Sequence, residues 1–364
     1  EDSLARLWNV TDDQIERLIE IETQLIAVDD AVKGVAPVAH LLVFEQAANN
    51  LSLPNLQDRQ RELKRIADEH NPIFVTIFID VRLNNNVIAL YREHENQNKE
   101  FMQAIQAPGL FNSPPIFERK NLNNNGQNNL NVMKRQPFIA IPALAGDGFT
   151  NLAEDLTCSL GFWAKRRQTQ ENVFVSSGRC FRFDQDYYLK PWGLPNLPLS
   201  DVRNHIGKMD NRVVHNETNY SILRVEGDVE PIGFIKNIDS PDYAELRIID
   251  NNGLENDFIE TNNLGVHLCK SGYHTRVTCG FLRAHTARFF DAIDPYRINY
   301  VIDMDSNTGD LGGPVYNHYD RSRVSIYGII NGAIGDITLS TDVDNILDDA
   351  NLDFVNFLGE LVNN

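Results

Sequence analysis

Four cysteines constrain the fold of this 364-residue chain more than any other feature, because they fall into two local pairs. Cys158 and Cys180 form one pair of positions, and Cys269 and Cys279 form the other. Two close pairs predict two disulfides that close short loops, and therefore an oxidising compartment. A zinc site is the alternative, but it would need tighter Cys-x-x-Cys pairs, which are absent. No other motif indicates a metal site or a cofactor, and we expect neither.

The charge balance argues against several classes of partner. Lys and Arg together number 33 against 51 Asp and Glu, so the formal net charge is -18 at pH 7. A chain this acidic is a poor ligand for nucleic acid or for an anionic membrane surface. No apolar run reaches the length of a transmembrane helix, and we expect a soluble protein without a membrane span.

Two further features indicate a secreted, extracellular protein. The chain starts at Glu1 rather than at Met, as a chain does once a signal peptide has been removed. Sequons at Asn9, Asn50 and Asn216 are candidate glycosylation sites, and a fourth sequon begins at Asn219. Both features agree with the predicted disulfides.

Residues 1–108 are typical of an α+β domain. Apolar residues recur at helical spacing over 12–28, directly after a capping-box sequence. A second helix is predicted over 53–70, and a short one over 98–106. Between these two, "NPIFVTIFIDVRLNNNVIALYREH" contains two β-rich runs around an Asn-rich turn, which predicts a hairpin.

Residues 109–143 are predicted to be a linker, because the stretch is rich in Pro and Asn and has no sustained hydrophobic periodicity. The linker contains the dibasic pair Lys134-Arg135. This pair is either a cut site for a processing protease of the secretory pathway or two solvated charges. Over 144–364 the pattern changes to short strands separated by turns, which is typical of an all-β sandwich or barrel.

Five stretches of this C-terminal region carry a resemblance to a known family. They are "AGDGF" (145–149), "CSLGFWAKRRQTQENVFVSSGRC" (158–180), "LCKSGYHTRVTCGFL" (268–282), "GDLGGPVYN" (309–317) and "SIYGIINGA" (325–333). Together they resemble the secreted streptogrisin-like and alpha-lytic-like branch of the trypsin-like serine protease superfamily. The resemblance implies a mainly β chain: a trypsin-like double β-barrel over 144–364, preceded by a smaller α+β prosegment-like domain. It also implies the bridges Cys158–Cys180 and Cys269–Cys279.

The catalytic triad of that family corresponds to three positions here, and each holds a different kind of residue. The resemblance aligns the histidine with Arg179, the aspartate with Asn219 and the nucleophilic serine with Leu311. Arginine offers only hydrogen-bond donors and cannot act as a general base. A neutral amide does not stabilise an imidazolium, and leucine has no nucleophilic atom. What remains is a vestigial oxyanion turn formed by Gly309, Asp310 and Leu311.

We therefore predict a catalytically inactive homologue of serine proteases and not an enzyme. The alternative is an active secreted hydrolase that uses a relocated site. Ser176 and Ser177 lie beside Arg179, but no base nearby in the sequence could deprotonate them. His205 and His215 lie near the second triad position and have no nucleophile to serve.

An inactive protease fold acts through binding. Residues 1–108 have the element order and the position of the prosegment that, in this family, helps the barrel to fold and then blocks the active site. Where there is no protease to activate, the prosegment need not be released, so the chain's own N-terminal domain is the first partner that we expect, in cis. Further expected partners are a second copy of the chain, in a homo-oligomer, or another extracellular protein. The expected role is that of a binding protein or of a structural, self-assembling subunit.

Overall fold

The computed structural model describes residues 51, 53–111, 113–121, 141–151, 156–191, 204–214, 218–237, 244–251, 264–291 and 295–362. Several predicted features lie outside these residues and stay predictions: the helix over 12–28, the dibasic pair Lys134-Arg135, His215, and the sequons at Asn9, Asn50 and Asn216.

The described residues contain three α-helices. Two belong to the N-terminal α+β unit, α1 (Leu53–His70) and α2 (Lys99–Ile105), and the third, α3 (Val343–Ala350), lies near the C-terminus. α1 buries an apolar stripe that includes Leu63 and Ile66, which share a core cluster with Phe101 of α2. The helices predicted over 53–70 and 98–106 are thus confirmed. No helix in the described ranges is long and apolar enough to cross a membrane.

The predicted hairpin is also confirmed. Strand β1 (Val75–Asp80) pairs antiparallel with β2 (Asn85–Tyr91) in continuous register. A third strand, β3 (Ile116–Lys120), pairs parallel with β2 and lies inside the segment predicted to be a linker. Five residues are too few to produce a detectable periodicity, so no sequence pattern predicted this strand.

The rest of the described chain is almost entirely β-strand. The first half contains β4 (Ile141–Ala145), β5 (Gly148–Asn151), β6 (Thr157–Ser159), β7 (Phe162–Arg166), β8 (Asn172–Ser176), β9 (Asp186–Lys190), β10 (His205–Val214), β11 (Asn219–Arg224), β12 (Val229–Lys236) and β13 (Glu245–Asp250). The second half contains β14 (His267–Gly272), β15 (Arg276–Phe290), β16 (Tyr296–Asp303), β17 (Pro314–His318), β18 (Arg323–Ile334), β19 (Ile337–Asp342), β20 (Leu352–Val355) and β21 (Leu361–Val362).

These strands form two curled sheets. One has the order β21-β20-β7-β8-β11-β10-β9-β5-β6. In the other, β15, β14, β17, β18, β19 and β16 pair in a ring, because β16 pairs with both β15 and β19. Core residues of the two sheets, such as Phe174 and Val315, lie in one apolar cluster, so the sheets pack as a single body. The predicted mainly β, double-barrel fold is confirmed.

The N-terminal unit joins the second sheet directly. β1 pairs antiparallel with the end of the long strand β15, from Val75 opposite Phe290 to Ile77 opposite Arg288. Phe78 of β1 packs in the same apolar cluster as Phe289. The three strands of the N-terminal unit therefore extend a barrel sheet.

Both predicted disulfides are present. Cys158–Cys180 joins β6 to the short turn that contains Arg179, and Cys269–Cys279 joins the paired strands β14 and β15. The first bridge therefore ties the Arg179 turn, which follows β8, to β6, two strands before β8 in the chain. The second closes the hairpin that leads from β14 into β15.

Candidate functional site: the cleft between the barrels

The turn before β17 holds Leu311 in place. Thr308–Asp310 forms one turn of 3-10 helix, capped by the side chain of Asn307, and Leu311 follows with only 7% of its surface exposed. Gly312 has φ +87°, and a Cβ there would lie 1.9 Å from Ser176 Oγ. Only glycine fits this position, because both the backbone angle and the space exclude a side chain.

Asp310 anchors the turn from behind. Its carboxylate accepts hydrogen bonds from the backbone N–H of His274 (2.7 Å), the backbone N–H of Thr275 (2.9 Å) and the Thr275 hydroxyl (2.6 Å). Lys270 Nζ lies 3.4 Å from Asp310 Oδ2, and neither side chain is exposed. Burial alone would raise the pKa of Asp310, but Lys270 and the hydrogen bonds hold it below its ordinary value.

In the turn at 309–311, which the sequence aligns with an oxyanion turn, one backbone donor points inward. The backbone N–H of Leu311 donates to the carbonyl oxygen of Thr308 at 3.3 Å, inside the 3-10 turn. The next two N–H groups are also used, since Gly312 donates to Ile330 O at 2.7 Å and Gly313 donates to Asp310 O at 2.9 Å. An oxyanion needs backbone donors that point at the place where its charge develops. The Leu311 N–H does not meet that requirement in this conformation.

Arg179 lies on the other wall of the cleft. The turn Gly178–Cys180 is capped by Ser177, whose hydroxyl accepts the Arg179 backbone N–H at 3.3 Å. The guanidinium Nε lies 3.3 Å from Asp291 Oδ2, and the guanidinium carbon lies 6.0 Å from the centre of the Phe289 ring. The Arg179 side chain remains 26% exposed, so it is partly open to solvent.

Asn219 is fully buried beneath this turn. Its side-chain oxygen accepts the Gly178 N–H at 2.9 Å, and its backbone oxygen accepts a hydrogen bond from Asn331 Nδ2 at 2.7 Å. Tyr296 lies beside Asn219 and Arg179; burial raises the pKa of its phenol, and the Arg179 charge partly offsets this. The amide thus has a structural task, which is to fix the turn that carries Arg179.

The side chains of Arg179 and Leu311 face one pocket of about 200 Å³. Part of its lining comes from the N-terminal unit, which contributes Phe74, Tyr91 and His94. The Tyr91 hydroxyl donates to Ala333 O at 2.8 Å, at the end of β18. The structure therefore brings two of the three predicted triad positions to one pocket, with the third buried behind Arg179.

The residues considered for a relocated site each hydrogen-bond to other groups and not to one another. Ser176 Oγ donates to Ser159 O at 3.0 Å, and Ser177 is engaged as the cap of the Arg179 turn. His205 Nε2 lies 3.0 Å from Asp186 Oδ1, on neighbouring strands of the first sheet. Within the ranges that the structure describes, no group of three or more His, Cys, Asp or Glu side chains is placed to hold a metal ion.

Comparison with solved structures finds distant similarity to several serine proteases. The crystal structure of a Nocardiopsis protease is similar at 16% identity over 58% of this chain and 97% of that chain, with a TM-score of 0.46. Thermobifida fusca protease A is similar at 15% identity over 61% of this chain and 100% of that chain, with a TM-score of 0.45. An alpha-lytic protease homologue, N4, is 17% identical over 58% of this chain and 98% of that chain, with a TM-score of 0.43.

No protein-family profile and no curated protein matches the chain. The structural likeness is too distant to say anything of activity, and the fold is established by the strand pairing and the core described above. The architecture is that of a trypsin-like double β-barrel. Within this trypsin-like architecture, the cleft between the barrels is the candidate functional site.

Sequence reasoning missed several residues of the cleft. Asp291, which pairs with Arg179, follows directly after β15, and Tyr91 closes a hairpin far away in the sequence, so no local pattern identifies them. Lys270 did leave a signal. It is a charged residue in the otherwise uncharged strand "HLCKSG", and a lysine buried there needs a carboxylate partner, which Asp310 supplies.

Proposed function

We propose that this chain is a secreted, catalytically inactive homologue of trypsin-like serine proteases that acts by binding. In this role it serves as an extracellular structural or self-assembling subunit, with its N-terminal unit retained over the former cleft. The proposal includes the division of the chain into a prosegment-like domain (1–108), a connecting segment (109–143) and an inactive protease domain (144–364). Secretion is supported by the two disulfides, which persist in oxidising compartments.

One observation carries the proposal of inactivity: the side chains at the three positions aligned with the triad, Arg179, Asn219 and Leu311, have no general-base or nucleophilic chemistry. Arg179 is engaged with Asp291, and Leu311 presents only methyl groups to the pocket. Asn219 is buried, and its side-chain oxygen accepts a hydrogen bond from the Gly178 N–H. A general base, its orienting carboxylate and a nucleophile are all required for acyl transfer by this fold.

Retention of the N-terminal unit is supported by how it is attached. Its strand β1 pairs with β15, and the Tyr91 hydroxyl donates a hydrogen bond to the backbone oxygen of Ala333. A buried arginine, Arg283, adds a charged contact: its Nε lies 2.6 Å from Asp80 Oδ2, and it also binds the carboxylate of Glu118. These contacts come from three separate strands of the unit, β1, β2 and β3, so separation would break all of them.

The test of inactivity uses the whole chain and a fluorophosphonate probe that labels activated serines. We expect no labelling and no hydrolysis of casein between pH 4 and pH 10, with trypsin as the positive control. A probe adduct located on one serine by peptide mapping would overturn the proposal and establish a relocated active site.

The structural part of the proposal is tested separately, by light scattering and intact mass on the native protein. We expect an oligomer in which each chain keeps its N-terminal unit. A monomer at all concentrations would remove self-assembly from the proposal, and loss of the N-terminal unit from the purified particle would remove its retention.

A further inference from the structure

We propose that the pocket between the N-terminal unit and the former cleft is a binding site for a small carboxylate with one aromatic ring. The site is composite. Phe74, Tyr91 and His94 come from the N-terminal unit, whereas Arg179, Phe289 and Leu311 come from the barrels. Neither part alone provides the whole lining, so the site exists only while the N-terminal unit is in place.

The shape and the surface of the pocket select an aromatic ring. Phe74 lies 4.9 Å from the His94 ring and 6.5 Å from the Phe289 ring, centre to centre, and Leu311 adds an aliphatic surface at the former nucleophile position. Aromatic rings pack favourably against such walls in offset and tilted arrangements. An apolar cavity of about 150 Å³ accepts one benzene molecule, so about 200 Å³ accepts a ring with a short polar arm.

The hydrogen-bond donors of Arg179 suit the pocket to an anion, although Asp291 balances part of the guanidinium charge. Among the described residues that line it, Arg179 carries a full positive charge and no carboxylate is present. Asp291 approaches the guanidinium at Nε. Because a guanidinium has five N–H donors, contacts with Asp291 and the nearby Tyr296 phenol leave donors for a ligand. A carboxylate is the anion whose geometry matches that donor set.

Backbone strain occurs at the same place. Phe74 has φ +54°, in the left-handed region that a bulky side chain rarely adopts. Strain of this kind persists only where the surroundings fix it, and it occurs most often at functional sites. Here the unusual backbone angle accompanies a ring that lines the pocket, against His94.

This inference rests on the proposed function in one respect, the retention of the N-terminal unit, and it names a ligand for that same cleft. The probe is phenylacetate, and the control ligand is phenylacetamide, which has the same ring and arm without the charge. Binding to the full chain is followed by titration calorimetry and by the methyl resonances of Leu311, assigned with Leu311→Ile.

We expect saturable binding with a Kd of about 1 mM, since ligands of this size gain a fraction of a kcal/mol for each non-hydrogen atom. Ring-current shifts should appear at the Leu311 methyls. Phenylacetamide should bind about tenfold more weakly, because the charged hydrogen bond to Arg179 is lost. Arg179→Met should weaken phenylacetate binding by a similar factor, whereas Arg61→Met, on an exposed arginine of α1 outside the pocket, should not change it.

Equal affinities for phenylacetate and phenylacetamide would overturn the inference, and so would saturable binding that leaves the Leu311 methyls unshifted or no binding at all. These measurements use the wild-type chain, so they decide the matter even if Arg179→Met does not fold. Failure here is distinct from failure of the proposed function: a chain that binds no phenylacetate but keeps its N-terminal unit and labels no serine loses only this ligand.

Discussion

The turn behind Leu311 and the cleft in front of it differ in how the structure constrains them. Behind the turn, Asp310 is enclosed by Lys270, His274 and Thr275, and the position of Gly312 admits no side chain. In front, the side chains of Arg179 and Leu311 face a pocket with space left in it. The backbone of the turn is therefore fixed by buried contacts behind it, whereas the side chains that face the pocket have space around them.

Substituting Gly312 should have the largest effect, because it attacks the constrained side of the turn. In Gly312→Ala the new Cβ would lie 1.9 Å from Ser176 Oγ and 2.5 Å from the backbone oxygen of Ser159. We expect a loss of more than about 4 kcal/mol in the free energy of unfolding, or no folded protein, because a backbone atom cannot move aside cheaply. Urea denaturation followed by tryptophan fluorescence measures the free energy of unfolding of both the wild-type chain and the variant.

The matched control is Gly109→Ala. Gly109 has φ +81°, close to that of Gly312, but no atom lies within 4 Å of its Cβ position. We expect it to cost about 1 kcal/mol, from backbone strain alone. Equal losses in the two variants would show that packing behind the turn is not what excludes a side chain.

The second largest effect should come from Arg283, which contacts two strands of the N-terminal unit. Arg283 is 9% exposed and meets Asp80, Glu118 and Asp303. Burial raises the pKa of Asp303, whereas Arg283 holds that of Glu118 below its ordinary value despite burial. In Arg283→Met these carboxylates lose their cation, and we expect a loss of about 3–5 kcal/mol.

The control for Arg283 is an exposed ion pair. Arg323 lies 2.6 Å from Asp320, and both side chains are about 40% exposed, at 43% and 40%. Arg323→Met should change the free energy of unfolding by about 1 kcal/mol or less, because exposed pairs gain little. A loss after Arg283→Met no larger than this would mean that the cluster does not hold the N-terminal unit.

The sequence predicted the parts of the fold that have a local signal. The helix over 53–70 and the hairpin after it follow from periodicity, and the disulfide pairs follow from spacing and resemblance. It did not predict that β1 pairs with β15, or that Arg283 meets Asp80, because these contacts join residues about two hundred positions apart. Of the cleft, the sequence singled out Arg179, Asn219 and Leu311, but not Asp291 and Tyr91, which the structure brings to them.

A further effect, set by pH and not by a single substitution, concerns acid stability. Burial lowers the pKa of His267, His285 and His318 to about 4 in each case. All three are neutral in the folded chain, while the unfolded chain takes up protons at each near pH 6.5. Stability should therefore be complete above about pH 6.5 and fall towards pH 4, by about 1.4 kcal/mol per pH unit for each histidine. Denaturation midpoints from pH 7 to pH 4.5 measure this slope.

His285→Phe isolates one of the three. His285 packs edge-on against Tyr300, and its Nε2 is buried without a hydrogen-bond partner, so a phenyl ring keeps the packing and removes the titrating group. We expect the slope to fall by about one third, with little change at pH 7. Asp303 and Asp342, whose pKa values burial raises, act in the opposite sense at the acid end of the range. An unchanged slope would mean that His285 is already protonated in the folded chain near pH 6.

The smallest effect should come from the change that looks most drastic in chemical terms. The triple variant Arg179→His, Asn219→Asp, Leu311→Ser places the three side chains of a catalytic triad at the aligned positions. We expect no hydrolysis of a chromogenic peptide above background, because the other requirements of acyl transfer are still missing. The N–H at position 311 would still donate to Thr308 O, and loss of one oxyanion donor costs about a hundredfold to a thousandfold in rate.

The N-terminal unit adds a second barrier in that variant. Tyr91 would still donate to Ala333 O and cover the end of β18, so a peptide would have to displace it. The measurement is therefore made on the triple variant with and without Tyr91→Ala, by fluorophosphonate labelling and peptide hydrolysis. Activity that appears only with Tyr91→Ala would show that the cover alone blocks the cleft. Activity in the triple variant itself would show that the Thr308–Leu311 hydrogen bond opens readily, and that the turn is no more fixed than the side chains in front of it.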